Sequence, residues 1–323
     1  MIARYAIPFF FIMGFIVVPL LFTLLCRWLA PRRWWRHCAL ACTIIIWAAV
    51  AYGSFIGFEE LEVRHFEYAS ENLPEAFDGY RIVHFSDAHV GTFTGSRDWL
   101  MQRAVDSINA QHADAIVFTG DLQNLNPDEI RPQMSVLRQV RAKDGVFTIL
   151  GNHDYPIYMN YDEATKTACL KQTKQLERQL GWDLLLNEHR VIRRDSDSIV
   201  IAGMENWGTL KRMPRVGDVK KTLQGVNPSS FVIMLQHDPT AWRTKILPEC
   251  KAQLTLSGHT HGGQFSIFGW SPAAFTYDVW AGEAYEGDRA LYVSAGMGAL
   301  IPFRMNEPGE IVVVTLKSNK VKK

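Results

Sequence analysis

Two histidines one residue apart, His259 and His261, stand in LTLSGHTHGGQ, a glycine-rich turn directly behind an apolar run. Imidazoles on such a loop can crowd a small charged guest, because glycine permits positive φ and removes side-chain bulk. Four other stretches share this construction: SDAH (Asp87, His89), TGDLQN (Asp121), GNHD (Asn152, His153, Asp154) and QHDP (His237). Each follows an apolar run, and half of the ten histidines fall in these five loops. Residues two apart at a strand end point to the same side, so Asp87 with His89, and His259 with His261, each present paired donors. The donors are carboxylate, imidazole and one amide, with no thiolate. That mix excludes a structural cysteine–zinc site and suits Mn, Fe or Zn in a catalytic setting. The GHTHGG loop is therefore expected to deliver two imidazoles to a pair of divalent metal ions.

Positioning these loops needs a scaffold of strands. Short β-branched runs at 81–85, 114–118, 145–150, 198–203, 231–235, 252–256, 290–294 and 310–316 predict eight strands. Helical spacing with polar outer faces predicts helices over 96–111, 127–143 and 161–180. Strand–helix alternation points to an α/β core with buried sheets. Open α/β sheets bind ligands just outside the carboxyl ends of their strands. Five of the eight predicted strands run into the donor-bearing loops, so those loops are expected to converge on one spot.

The N-terminal segment reads differently. Tyr5 to Leu25 carries no charge for 21 residues, and Cys38 to Ile56 none for 19. Both lengths suffice to cross a bilayer, and no small-residue cleavage site of a signal peptide follows the first. The chain is thus divided at residue 58: two transmembrane helices joined by a short basic loop over 1–58, and a soluble domain over 59–323. The connecting loop RWLAPRRWWRH holds four arginines, while EELEVRHFE after the second span is mainly acidic. Positive loops stay in the cytoplasm. A multi-pass protein of a bacterial inner or cell membrane is expected, its domain on the extracytoplasmic side. Beyond residue 58 there are 29 basic and 33 acidic residues, a balance that argues against a nucleic-acid partner. Cys169 and Cys250 show no metal-type spacing and are read as unpaired thiols, with a single disulfide the alternative.

The ordered set D-x-H, G-D, G-N-H-D, H and G-H-x-H resembles the calcineurin-like metallophosphoesterase superfamily. GHTHGGQ and the closing YVSAGMGALIPFR resemble its membrane-associated bacterial phosphodiesterase branch. The resemblance covers roughly Glu59 to Leu316. It implies a four-layer β-sandwich of two mixed sheets flanked by helices, here preceded by the transmembrane hairpin. It also implies that Asp87, His89, Asp121 and His261 hold one metal. Asp121, Asn152, His237 and His259 would hold the other, with Asp121 bridging. Many members end G-D-x-x-D in aspartate, whereas this chain has Asn124 at that position, which is not a direct ligand.

Two divalent ions against the two carboxylates Asp87 and Asp121 leave a net positive site, for which a phosphate ester is the natural guest. Two metals can clamp the attacking and leaving oxygens of an in-line displacement, and a hydroxide bridging them is an available nucleophile. His153 is expected to protonate or stabilise the leaving oxygen, with Asp154 orienting it. Arg304 offers a bidentate partner for a phosphate, although a surface arginine is the simpler reading. The expected function is a membrane-anchored phosphoesterase cleaving a phosphodiester or pyrophosphate, with a lipid, an envelope component or a membrane-proximal nucleotide as substrate. One alternative is a UDP-2,3-diacylglucosamine-type pyrophosphohydrolase of lipid A synthesis, which works at the cytoplasmic face and so conflicts with the expected topology. Another is a catalytically silent binding scaffold, against which the retention of all seven ligand positions and His153 argues.

Overall fold

The computed structural model describes residues 13–29 and 33–319. Its heart is a pair of six-stranded sheets. The first has the order β1 (Leu61–Ser70), β12 (Gly309–Ser318), β2 (Arg81–Phe85), β3 (Ala115–Phe118), β4 (Val146–Thr148), β5 (Asp183–Leu184). The second runs β10 (Gly282–Glu286), β11 (Arg289–Val293), β9 (Leu254–Ser257), β8 (Phe231–Leu235), β7 (Asp197–Gly203), β6 (Glu188–Arg194). Strands β2 to β5 are parallel, as are β11, β9, β8 and β7. β12 is antiparallel to β2 and parallel to β1, so the sheets are mixed.

The inner faces of the sheets meet in one apolar layer, where Ile82, Val117 and Val312 face Ile199, Ile233 and Leu254. The outer face of the first sheet is covered by α3 (Asp98–Asn109), through Leu100, Met101 and Val105, and by α4 (Glu163–Gln179), through Leu176. Trp242 and Ile246 close the outer face of the second. Four layers result, as the resemblance implied. Strands buried on both faces are largely apolar, which is why β3 (AIVF) and β8 (FVIML) read as uninterrupted hydrophobic runs, and β2 and β9 as runs broken only by His84 and Thr255 inside them.

All eight predicted strands are present. Four others, β1, β5, β6 and β10, are the outermost strands of the two sheets. The predicted helix over 127–143 is instead two 3-10 turns, Pro127–Glu129 and Arg131–Gln133, followed by a single α-helical turn at Met134–Leu137. Pro132 lacks the amide that a continuous helix would use there. Cys169 and Cys250 are both free.

Ahead of the sheets, α1 (Val18–Leu29), entered through a π-helical turn at Met13–Val17, packs against α2 (Arg33–Phe55). Thr23 Oγ1 lies 3.3 Å from Thr43 Oγ1, and Gly14 abuts Val50. Trp34 to Glu59 is long and apolar enough to cross a membrane. Part of the expected first span, residues 5–12, lies outside the described residues, as do residues 30–32 of the expected basic loop. Ile44, Ile45, Trp47 and Phe55 on α2, like Leu20, Leu21 and Leu24 on α1, are exposed. An exposed apolar surface of this extent marks an interaction face.

Candidate metal centre

The five donor loops leave the carboxyl ends of β2, β3, β4, β8 and β9, and they meet where the two sheets lie side by side. Sheet one supplies Asp87, His89, Asp121 and Asn152, and sheet two supplies His237, His259 and His261. Asp121 Oδ2 lies 3.6 Å from His89 Nε2 and 3.2 Å from His237 Nε2. On one side of it, His89 Nε2 and His261 Nε2 are 3.2 Å apart, with Asp87 Oδ1 3.5 Å from the latter. On the other side, His237 Nε2 is 3.0 Å from Asn152 Oδ1 and 3.3 Å from His259 Nδ1. Asp87, His89 and His261 form one cluster with donor atoms within 4.8 Å of one another; Asp121, His237 and His259 form a second. All seven expected ligands are thus brought together.

The local backbone shows what this convergence requires. Asp87, His89, Asp121, His259 and His261 all have φ between 43° and 75°. Left-handed backbone costs a non-glycine residue roughly 1–3 kcal/mol, and such strain clusters at functional sites. Five donors of seven share it. Glycine is needed where the loops touch: a Cβ on Gly258 would run into Ser86 Oγ and the Asp87 carboxylate, and one on Gly151 into Asp121 and His237.

Hydrogen bonds aim each donor. His237 Nδ1 lies 2.7 Å from the Thr119 carbonyl oxygen, an acceptor that fixes the proton on Nδ1 and frees Nε2. His259 Nε2 bonds the Tyr277 hydroxyl at 2.9 Å, so Nδ1 is the nitrogen turned to the cluster. Asp121 Oδ1 accepts the His153 amide at 2.7 Å, leaving Oδ2 for the cluster. Asp87 accepts the His259 amide, tying the first loop to the last. Burial lowers the pKa of His89 and His259 and takes His261 to about 4. Neutral imidazoles of this kind keep a lone pair for a metal. At His237, burial acts in the same direction, but the Asp121 carboxylate overrides it and raises the pKa to about 10. The cluster therefore attracts positive charge at its centre. His89 Nδ1 and His261 Nδ1, both buried, have no hydrogen-bond partner. Facing nitrogens, a shared carboxylate oxygen and strained donor backbones fit a pair of divalent cations.

Three expectations need correction or extension. Asp154 does not orient His153. Its carboxylate accepts the backbone amides of Asp121, Leu122, Gln123 and Gly151 instead, which braces the second and third loops together. Burial and the nearby Asp121 push its pKa up to about 7. The His153 imidazole is held by the Asn124 carbonyl, 2.6 Å from Nδ1, and stacks on Tyr158 with ring centroids 4.4 Å apart. Arg304 is neither on the surface nor turned to a substrate. It is 1% exposed and donates to the carbonyls of Ala295, Gly296, Gly298, Glu307 and Pro308. Burial lowers its pKa to about 10, so it stays charged at neutral pH. The segment it gathers bonds back to Asp87, through the Gly298 amide and the Asp87 carbonyl.

Tyr158 and Tyr277 were not legible as site residues. Tyr158 receives the Asn152 amide at 2.8 Å, and Tyr277 stands behind His259. Tyrosine outside a motif carries no positional signal, whereas Asn124, at the end of GDLQN, was already singled out by its departure from aspartate. Its backbone carbonyl, which any residue supplies, performs the orienting role here. Its side chain accepts the Gly91 amide at 2.8 Å.

Gly258→Ala should displace Asp87 and reduce bound metal from two ions per chain to one or none, read by elemental analysis after loading with Mn²⁺. Two retained ions would contradict the steric argument. Arg304→Met leaves five carbonyls without their donor and should destabilise the domain by about 3 kcal/mol. That corresponds to a fall of roughly 6–12 °C in Tm. A raised KM with an unchanged Tm would instead mark Arg304 as a substrate contact.

The comparisons with known proteins agree with this geometry. Residues 80–263 match the family model described as calcineurin-like phosphoesterase, a segment that begins before β2 and ends within the GHTHGG loop. A zebrafish (Danio rerio) protein named transmembrane protein with metallophosphoesterase domain is 31% identical over 85% of this chain, which spans 62% of that relative's length. The Bacillus subtilis metallophosphoesterase YkuE is 32% identical over 83% of this chain and 89% of its own. An Aquifex aeolicus metallophosphoesterase is 27% identical over 83% of this chain and 97% of its own. A matching domain over more than half the chain, with every expected donor at one centre, makes this chain a member of the calcineurin-like phosphoesterase family.

Proposed function

We propose that this chain is a membrane-anchored, dinuclear metal-dependent phosphoesterase, acting on a phosphodiester or pyrophosphate outside the cytoplasm. The observation that carries the reading is the single oxygen Asp121 Oδ2, set between His89 Nε2 and His237 Nε2. One centre would be held by Asp87, His89, Asp121 and His261. The other would be held by Asp121, Asn152, His237 and His259. When bound, two such ions act as Lewis acids on a phosphoryl group and make water nucleophilic near neutral pH.

The remaining steps belong to the protein. Only two carboxylates stand in the donor set, so a loaded centre keeps net positive charge and recruits a phosphate ester. His153, His259 and His261 are partly exposed while the other donors are buried, so these three border the opening. His153 Nδ1 is committed to the Asn124 carbonyl, which leaves Nε2 to donate a proton to the departing oxygen. Tyr158 stacked on the ring keeps that nitrogen in place. The anchor is the hairpin of α1 and α2; the basic loop between them is placed in the cytoplasm by the positive-inside rule. A substrate carried by or near the membrane follows, whether lipid, envelope polymer or nucleotide.

His153→Ala should keep two metal ions per chain yet lose roughly 10²–10⁴ of turnover, the range for a missing general acid. Hydrolysis of bis(p-nitrophenyl) phosphate by Mn²⁺-loaded protein, paired with elemental analysis, provides the check, and wild-type rates would refute the role. Alkaline phosphatase fused after Lys323 should be active, and green fluorescent protein at the same position dark. The opposite pattern would place the domain in the cytoplasm.

A further inference from the structure

The segment that follows the last candidate ligands has an unusual surface. Ile267 and Trp270 exchange two backbone hydrogen bonds of 2.9 and 3.0 Å, closing a two-residue turn of Phe268 and Gly269. Both turn residues are left-handed, with φ of 52° and 76°. Such turns favour Asn-Gly or Asp-Gly, and a bulky residue at positive φ is a real outlier. Phe268 nonetheless sits there at 104% relative exposure. Phe275, 83% exposed, packs edge-on against the half-exposed Trp270, with centroids 5.1 Å apart. Nothing within the described residues accounts for three aromatic rings projecting together.

Their position does. The loop is joined to the metal centre on one side, because Ser271 Oγ donates to the Gly262 carbonyl, next to His261. On the other side it is joined to the end of α2. The Ser266 amide donates to the Met305 carbonyl, Gln264 Nε2 donates to the carbonyls of Ile301 and Phe303, and the Arg304 amide donates to the Gly53 carbonyl at 2.9 Å. A Cβ on Gly53 would strike the Phe303 ring. The aromatic loop is thus tied through the Phe303 segment to the end of α2, where the expected span ends and Phe55 and Ile56 are exposed. Tryptophan and phenylalanine at the level of the headgroups are what an interfacial contact uses.

We infer that the Ile267–Phe275 loop seats its aromatic tip in the bilayer that α2 crosses, so that the metal centre receives an amphiphilic phosphoester from the membrane surface. This rests on the membrane-anchored reading above. It narrows the substrate to a phosphoester with an apolar tail: the tail stays in the bilayer while the phosphate reaches the donors beside His261.

Photo-cross-linking tests the placement. The full chain, carrying p-benzoyl-phenylalanine at one position, is reconstituted in nanodiscs of phosphatidylethanolamine and phosphatidylglycerol. The positions are Phe268, Phe275, Ile45 within α2, and Val191 on the exposed edge strand β6. Phospholipid adducts are expected at 268, 275 and 45, and none at 191. Adducts at 45 without any at 268 and 275 would overturn the inference and leave the anchor standing. So would cross-links from 268 to a second copy of the chain. No adduct at 45 would defeat the anchor itself. In a second arm, the double variant Phe268→Ser/Phe275→Ser should hydrolyse soluble bis(p-nitrophenyl) phosphate within about twofold of wild type, yet hydrolyse hexadecyl p-nitrophenyl phosphate in the nanodiscs roughly tenfold more slowly. Equal losses on both substrates would overturn the lipid-substrate reading.

Discussion

A carboxylate oxygen buried between two imidazole nitrogens, Asp121 Oδ2 between His89 and His237, is the contact on which this structure turns. His237 comes from the sheet opposite the one that supplies Asp121 and His89. The two sheets must therefore sit side by side at a fixed offset for the cluster to exist at all. The apolar layer between their inner faces provides that rigidity. Close-packed interiors resist sliding because any shift opens gaps or overlaps.

Holding the donors together is unfavourable for the chain alone. Five of the seven have left-handed backbones, and imidazole nitrogens face one another at 3.2 and 3.3 Å. Local strain of this kind persists only where the surroundings over-determine it. Here the surroundings are explicit. Asp154 collects four backbone amides from two loops, Gly151 and Gly258 remove the bulk that would separate them, and Arg304 ties five carbonyls behind Asp87. Asp154 and Arg304, near the centre but outside the candidate ligand set, thus serve the backbone. Hydrogen bonds from the Arg304 Nη atoms and to the Asp154 carboxylate, all with main-chain groups, offset the cost of their burial.

The same Arg304 segment links the donor loops to the apolar helix α2. Its amide bonds the end of α2, its guanidinium holds the loop behind Asp87, and its neighbour Met305 accepts the Ser266 amide in the segment that follows His261. The path from the apolar helix to the donors runs through a few residues. Orientation of the centre relative to the end of α2 is therefore built into the domain and does not depend on a flexible linker.

The order of donor residues, their small neighbours and the apolar runs before them could be read from the chain directly. A strand buried on both faces has to be continuously hydrophobic, and a loop carrying metal donors has to be rich in glycine, histidine and aspartate. Outermost strands escaped that reading because they bury one face only. In β6, EHRVIRR, a single valine and isoleucine sit among charges, and in β5 the strand is two residues long. The 127–143 stretch has helical periodicity throughout, yet the missing amide of Pro132, visible in the sequence, outweighs it. Roles that depend on who is nearby were beyond the sequence. Asp154 is adjacent to His153 along the chain, yet it turns to the backbone, while the Asn124 carbonyl, 29 residues away, holds the imidazole. Arg304 reads as solvent-exposed by type, yet it is almost fully buried behind the site. Residue chemistry determined which atoms can bind metal; packing of two sheets, acting across long separations, decided which of them meet and what steadies each one.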